Sequence, residues 1–298
     1  MRALLIAIII CWAGVAQAAP LRVAMVTSLE ASGLAPLMIA AFEAESGDTV
    51  EAVFVGSGQA FVLAARGDVD VILTHDPAGE EELRAAGITR ARLPVMQNRF
   101  VLLGPPRDPA GIADTDSVFE ALCRIARDEH SFVSRGDRSG THRKEQSLWR
   151  SIRLAPAGRW YRAVGSGMAA SLRVAGELQA YALADRASAL KLGGVVGLRL
   201  FSFPDPELVN LYAVSLISKT MHPHLNHQGA ERFARWLTGP DWQGVTLRFL
   251  IRGKPVYRPA QSQSGSPDRS QTAQSDGAAP QRKNAPCRAA RRDRLPKE

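Results

Sequence analysis

Short apolar runs alternate with longer amphipathic stretches along most of this 298-residue chain. Runs such as LRVAMV (21–26), VEAVFV (50–55), VDVILT (69–74) and RFVLLG (99–104) are rich in Val, Ile and Leu and predict strands. Between them, 32–47, QAFVLAAR (59–66) and AGEEELRAAG (78–87) carry a helical spacing. Ser32 is the expected N-cap of the first of these helices, with Pro36 tolerated in its first turn. PPRDPAG (105–111) then breaks the chain. A second set follows, with helices near 118–128, 142–151 and 168–176 and strands at SFVSR (131–135), AYALAD (180–185), VGLRLFS (196–202) and LYAVSLI (211–217). The amphipathic NHQGAERFARWLTG (226–239) and a final stretch at 242–250 close the body. Alternation of this kind implies an α/β fold with a mixed, mainly parallel sheet flanked by helices.

The two ends differ from the body. Met1-Arg2, an apolar run from Ala3 to Val15 and then Ala16-Gln17-Ala18 have the form of a secretory signal peptide over 1–18. The run is shorter than the ~20 residues of a membrane span, and Cys11 lacks the small residues that precede a lipoprotein cysteine. No later segment is long and apolar enough to span a membrane. From Gln261 to Glu298 few apolar residues other than Ala remain, so a disordered basic tail is expected at 261–298. That tail holds eight Lys/Arg and four Asp/Glu, which is half of the formal charge of +8. Arg2 leaves with the leader, so the body carries +3, too mild to argue for a nucleic-acid partner. With the leader removed only Cys123 and Cys287 remain; neither a disulfide framework nor a bridge between these two is expected.

Four segments share one design, with small or hydroxyl residues immediately ahead of a helix: TSLEASGL (27–34), VGSGQAF (55–61), RGDRSGTH (135–142) and VGSGMAAS (164–171). The first backbone N–H groups of a helix have no intrahelical partner, and the helix dipole adds partial positive charge there. Gly lets a ligand approach the backbone, and Ser or Thr adds a rotatable donor. Such ends bind anions, above all at the carboxyl ends of strands in an α/β sheet. Singly, each could be ordinary capping; together, with Arg135 in one of them, they point to an anion cradle. Its candidate residues are Thr27, Ser28, Ser57, Gly58, Arg135, Ser139, Gly140, Thr141 and Gly167.

Other chemistries are weaker. Ser139 and Thr141 beside His142 suggest a nucleophile and base, but RSGTH is not the G-x-S-x-G elbow and no orienting acid stands at a matching spacing. HPHLNH (222–227) offers metal ligands, although it reads better as an exposed connection. His75-Asp76 could form a metal or acid–base pair, and an Asp-Pro turn is the simpler account. GSGQA lacks the Lys-Ser/Thr of a nucleotide-binding P-loop. Neither a catalytic set nor a cofactor is expected.

The blocks TSLEASGL, VGSGQAF, ARGDVDVILTHDPAGEEEL, PVMQNRFVLLGPPRDPAGI, FVSRGDRSGTHRKEQSLW, GRWYRAVGSGMAASL and LYAVSLISKTMHPHLN together resemble, in order, the tungstate-binding proteins of bacterial tungstate ABC transporters. The resemblance runs from about Leu21 to Pro259, and THDPA and the block around Arg135 are its most specific parts. It implies a two-lobed type II periplasmic-binding-protein fold, with lobe 1 at 21–98 and 212–260, lobe 2 at 99–211, and crossovers near NRFVLLG and VNLYAVS. It also implies a periplasmic, monomeric protein that captures tungstate or molybdate and hands it to a membrane permease, with no resident cofactor. The family's Thr-Ser falls on Thr27-Ser28, its Gly-Thr-Gly on Gly56-Ser57-Gly58, its Ser-Arg-Gly-Asp on Ser134–Asp137 and its Ser-Gly-Thr-His on Ser139–His142. Its glycine turn falls on Gly165–Met168. The chain departs from the family at Met25-Val26, at Ala169 and at Ala184 of Ala184-Asp185-Arg186. Phosphate or sulfate is the alternative ligand, a phosphate- or sulfate-ester hydrolase the alternative class, and a sensory protein a third possibility. Asp137 is expected to brace the Arg135 loop or cap the next helix, and Arg143 and Lys144 to lie on a solvated face.

Overall fold

A computed structural model describes residues 19–260 and Cys287. The leader expected at 1–18 and, Cys287 apart, the tail expected at 261–298 lie outside the described residues. The body opens on β1 (Leu21–Val26), then a six-residue helix α1 (Thr27–Ser32), then α2 (Leu34–Ser46). Ser32 therefore ends one helix and does not start the next. Gly33 takes the left-handed conformation (φ 84°) and divides the predicted helix. The Ser32 hydroxyl donates to the Leu29 carbonyl at 3.0 Å and still accepts from Leu34 N, the first residue of α2, at 3.3 Å, from one position before the N-cap.

β2 (Val50–Val55), α3 (Ser57–Arg66), β3 (Val71–Thr74) and α4 (Pro77–Ala85) follow. The next strand, β4 (Thr89–Gly104), is 16 residues long and begins ahead of the predicted RFVLLG; Pro94 is accommodated at an irregularity in its pairing with a later strand. Beyond the PPRDPAG break come α5 (Val118–Arg127), β5 (Phe132–Ser134), α6 (Gly140–Ser151), β6 (Tyr161–Ala163), α7 (Met168–Glu177) and β7 (Tyr181–Asp185). Then α8 (Arg186–Leu192), β8 (Arg199–Phe201) and β9 (Val209–Ile217) lead to α9 (His227–Thr238) and α10 (Pro240–Arg248). Three two-residue strands, β10 (Leu250–Ile251), β11 (Lys254–Pro255) and β12 (Arg258–Pro259), end the body.

The strands run in the order β2-β1-β3-β9-β4-β7-β5-β6, with β8 and β12 also paired to β4. β1 lies parallel to β2 and β3, and β5 lies parallel to β6 and β7. β4 is antiparallel to everything it touches. Its Thr89–Arg99 stretch pairs with β9, and its Phe100–Gly104 stretch pairs with β7 and β8. One strand thus serves two α/β halves, and β9 returns beside it.

Each half has its own apolar interior. Met25, Phe42, Tyr212, Phe233 and Trp242 belong to the interior of the first half. Phe132, Trp149 and Tyr181 belong to the second, with Leu103 and Leu172 on the other face of the same sheet. Burying one such side chain contributes roughly 1.5–3 kcal/mol. β1 and β3 are flanked on both sides and read as nearly unbroken apolar runs, as central parallel strands do.

The expectation of two unpaired cysteines is overturned: Cys123 and Cys287 form a disulfide, with Cα atoms 5.4 Å apart. Both are partly buried against the interior that holds Phe132 and Trp149. The partners stand 164 positions apart, so no local spacing signals the bond.

Candidate functional site

Six helices start at the carboxyl ends of strands: α1, α3 and α4 in the first half, and α6, α7 and α8 in the second. Two of them carry their own anion. Asp76 caps α4 by accepting from Gly79 N, and Asp185 caps α8 by accepting from Ala187 N and Ser188 N. The starts of α1, α3 and α7 have no side-chain cap, and α6 has only the Ser139 hydroxyl, which accepts from His142 N at 3.3 Å. The four segments singled out in the sequence are thus the four whose N-cap side chain is not a carboxylate.

Arg135 follows β5 directly and is 3% exposed. Its Nη2 donates to Asp137 Oδ2 at 2.5 Å, while Asp137 Oδ1 accepts from Ser139 N at 3.1 Å. Burial alone would raise the Asp137 carboxyl, but the Arg135 charge and the Ser139 hydrogen bonds outweigh it and hold it below the usual range. Asp137 occupies one edge of the guanidinium only; Arg135 Nε is buried with no hydrogen-bond partner among the described residues. The Arg135 carbonyl accepts from Ser166 N at 3.3 Å, which fastens the loop ahead of α7 to the loop ahead of α6.

The first half closes on this loop from the other side. A side chain at Gly58 would put Cβ 3.2 Å from the Arg138 carbonyl, so the start of α3 lies against 138–139. At Gly140 a Cβ would lie 2.9 Å from the His75 ring, closer than real contacts allow. Ser57, Ser139 and Thr141 are all buried, and Ser57 Oγ and Thr141 Oγ1 have no hydrogen-bond partner among the described residues. Ser28 is buried with its hydroxyl 3.4 Å from the Tyr212 hydroxyl, and the Tyr212 ring lies 5.0 Å from that of His75. Thr27 is half-buried beside it, where α1 packs on α7 and α8. Gly167 is the loosest of the nine: it caps α7, but a Cβ there would meet nothing within 4 Å.

His75 is the neighbour whose place the sequence did not reveal. Burial, and then the Arg135 charge, push its pKa down to about 3, so it is neutral at pH 7. It adds no charge to the site and competes with no cation. Only its nearness to Gly140 and Tyr212 reveals it, and both contacts are made by tertiary structure. Its neighbour Asp76 serves as the α4 cap and also lies 3.1 Å from Arg143 Nε. The expected solvated pair is therefore corrected: Arg143 ion-pairs across to the first half, and Lys144 Nζ donates to the Glu207 carbonyl at 2.8 Å.

The remaining groupings fall into structural roles. The His142 side chain accepts from Arg138 N through Nδ1 at 3.0 Å, and no bond joins it to a Ser or Thr hydroxyl. His222 bonds the Ala65 carbonyl, and His227 bonds the His222 carbonyl, within the connection after β9. Among the described residues no group of three His, Cys, Asp or Glu could hold a metal ion. Glu145 on α6 is buried beneath the site. It accepts from Tyr161 OH at 2.6 Å and Trp149 Nε1 at 3.3 Å, and burial raises its pKa to about 7.

Two α/β halves joined through β4 and β9, with helix starts facing one another at strand ends, define a binding protein of the two-lobed type. Residues 14–241 match the family model of the PBP superfamily domain. The tungstate-binding protein TupA of Peptoclostridium acidaminophilum is 37% identical over 240 residues, covering 79% of this chain and 84% of that protein. The crystal structure of the tungstate ABC transporter from Geobacter sulfurreducens matches with 37% identity and a TM-score of 0.69, covering 74% of this chain and 95% of that one. The tungstate-binding protein TupA from Desulfovibrio alaskensis G20 matches with 33% identity and a TM-score of 0.68, covering 81% and 99%. The chain belongs to the PBP superfamily, in the branch that contains the TupA tungstate-binding proteins.

Proposed function

We propose that this protein is an extracytoplasmic solute-binding protein that captures tungstate or molybdate and delivers it to an ABC permease. The observation that carries the reading is the buried Arg135, paired on one edge to Asp137 and, among the described residues, unpartnered at Nε, as are the buried hydroxyls of Ser57 and Thr141. Tungstate and molybdate are tetrahedral dianions without protons at neutral pH, so they need donors alone. A guanidinium edge, hydroxyls and uncapped helix starts supply donors. Phosphate retains a proton and rewards a free carboxylate acceptor; both Asp137 oxygens are already engaged. Thr27, Ser28, Ser57, Gly58, Ser139, Gly140, Thr141 and Gly167 complete the assigned shell around Arg135.

The halves are the moving parts in this reading. The ligand stabilises the closed arrangement, in which the starts of α3 and α6 meet, and a permease reads that shape. Residues 21–98 with 212–260 form one body and 99–211 the other, and the protein acts as a monomer without a cofactor. The leader at 1–18 directs it to the periplasm. A hydrolase reading lacks support, because His142 makes no side-chain bond to Ser139 or Thr141.

Competition calorimetry with tungstate, molybdate, sulfate and phosphate tests the assignment. Tungstate and molybdate should bind at least tenfold tighter than phosphate, and tighter phosphate binding would overturn it. Charge-assisted hydrogen bonds contribute about 1.5–3 kcal/mol each, so Arg135→Ala should weaken tungstate by about two decades.

A further inference from the structure

The β4–β9 ribbon has two faces, and only one is turned to the oxyanion site. Asn98 and Asn210 are register partners whose side chains bond at 2.8 Å, and Tyr212, two residues on, shares their face. Arg99 and Val209, the adjacent register pair, therefore point the other way. A cavity of about 480 Å³ opens mainly on that far face, where Gln97, Arg99, Val101 and Val209 line it, and reaches the ribbon's edge at Asn98 and Phe100; both halves and the 254–258 segment wall it. Its volume falls within the range of small-molecule pockets, roughly 300–1,000 Å³.

Four cations line it, Arg99, Arg186, Lys254 and Arg258, and no carboxylate does. Arg99 Nη2 donates to the carbonyls of Phe203 and Asp205 at 2.9 and 2.7 Å, which fixes the guanidinium without neutralising it. The Asp205 carboxylate is directed elsewhere, to Ser117 Oγ and Val118 N at the start of α5. Asp185, next to Arg186, is fully buried and outside the cavity wall; its Oδ1 accepts from Asn98 and from the α8 start, and its Oδ2 has no partner among the described residues. Among the described residues Arg186, Lys254 and Arg258 have no acidic partner. Like charges gathered around one cavity repel one another and favour an incoming anion.

The cavity also has an apolar side. Phe203 and Val256 are buried in its wall. At Lys254 it adjoins a second hollow of about 240 Å³, lined by Leu103, Leu198 and Leu200 and bordered by Arg252. A bare tetrahedral oxyanion has nothing to place there. We infer that this region is a second ligand site, which takes an amphipathic organic anion. The carboxylate, sulfonate or phosphate head would sit among Arg99, Arg186, Lys254 and Arg258, and the apolar part against Phe203 and the Leu198–Leu200 hollow.

Fluorescence titration of the mature full-length protein with anilinonaphthalene sulfonate, followed by competition with decanoate, tests the site. The expected result is saturable binding that decanoate displaces and excess tungstate does not. The uncharged parent naphthylamine should bind at least tenfold more weakly. Lys254→Glu combined with Arg258→Glu should weaken the sulfonate at least tenfold and leave tungstate affinity unchanged; both positions are exposed, so the core is spared. Lys254→Ala gives a milder version, with a smaller loss in the same direction. Non-saturable binding, displacement by tungstate, equal affinity for the uncharged parent, or an unchanged affinity in the charge-reversed protein would each overturn the inference.

Discussion

Asp137 decides how much of Arg135 an incoming anion meets. It takes one guanidinium edge and fixes its direction, and Nε has no partner among the described residues. The neutral hydroxyls add less. Ser57→Ala or Thr141→Ala removes one neutral donor, worth about 1 kcal/mol, so each should weaken tungstate by about fivefold in calorimetry. An effect as large as that of Arg135→Ala would argue that the hydroxyls organise the loops. At this scale the helix starts were legible, because Ser, Thr and Gly ahead of a helix form a local pattern. His75 was read only as a metal or acid–base candidate. Its contacts with Gly140 and Tyr212 join residues far apart in sequence, and no spacing encodes them.

α6 is the element that ties the site to the interior, and Glu145 is its most consequential side chain. Its carboxyl lies among Tyr161 and Trp149, and burial raises its pKa to about 7. In the unfolded chain a Glu titrates near its ordinary value of about 4.3. The folded state therefore binds the extra proton, and the contribution is fully present below about pH 4.3 and lost as pH rises through 7. Glu145→Gln should remove this pH dependence. Chemical denaturation at pH 8 should show the variant more stable than the parent by up to about 4 kcal/mol, with the gap closing toward pH 4. Element boundaries were legible where the apolar pattern is sharp: β1 occupies the expected 21–26. They failed where an element is too short to show a period, as in the three residues of β6 and the seven of α8. Gly33 divided a helix that otherwise looks continuous, since its neighbours on both sides favour helix.

In the whole molecule, the two halves meet through backbone at α3 and α6 and through the Arg143–Asp76 ion pair. The Arg143 side chain is 39% exposed, so solvent screens the pair and about 1 kcal/mol is its upper value. Arg143→Ala should lower tungstate affinity by no more than about fivefold. Small-angle scattering of the ligand-free variant should give a larger radius of gyration than the parent, and an unchanged radius would mean that the pair does not hold the halves together. The α/β class was legible in the strand–helix alternation, whereas the two halves were implied by the family resemblance and not by the apolar pattern. The long β4 was not legible, because a strand serving two sheets carries no mark where one ends and the other begins.

The Cys123–Cys287 bond makes a closed ring of everything from α5 to the tail. The return passage between the halves at β9, and the whole of β5 to β12, lie on that ring. A single backbone cut anywhere on it opens the loop without freeing a fragment. Protein nicked once between residues 124 and 286 should therefore run as one species on a non-reducing gel and as two after thiol treatment. The Cys287→Ser variant, nicked in the same way, should give two under both conditions.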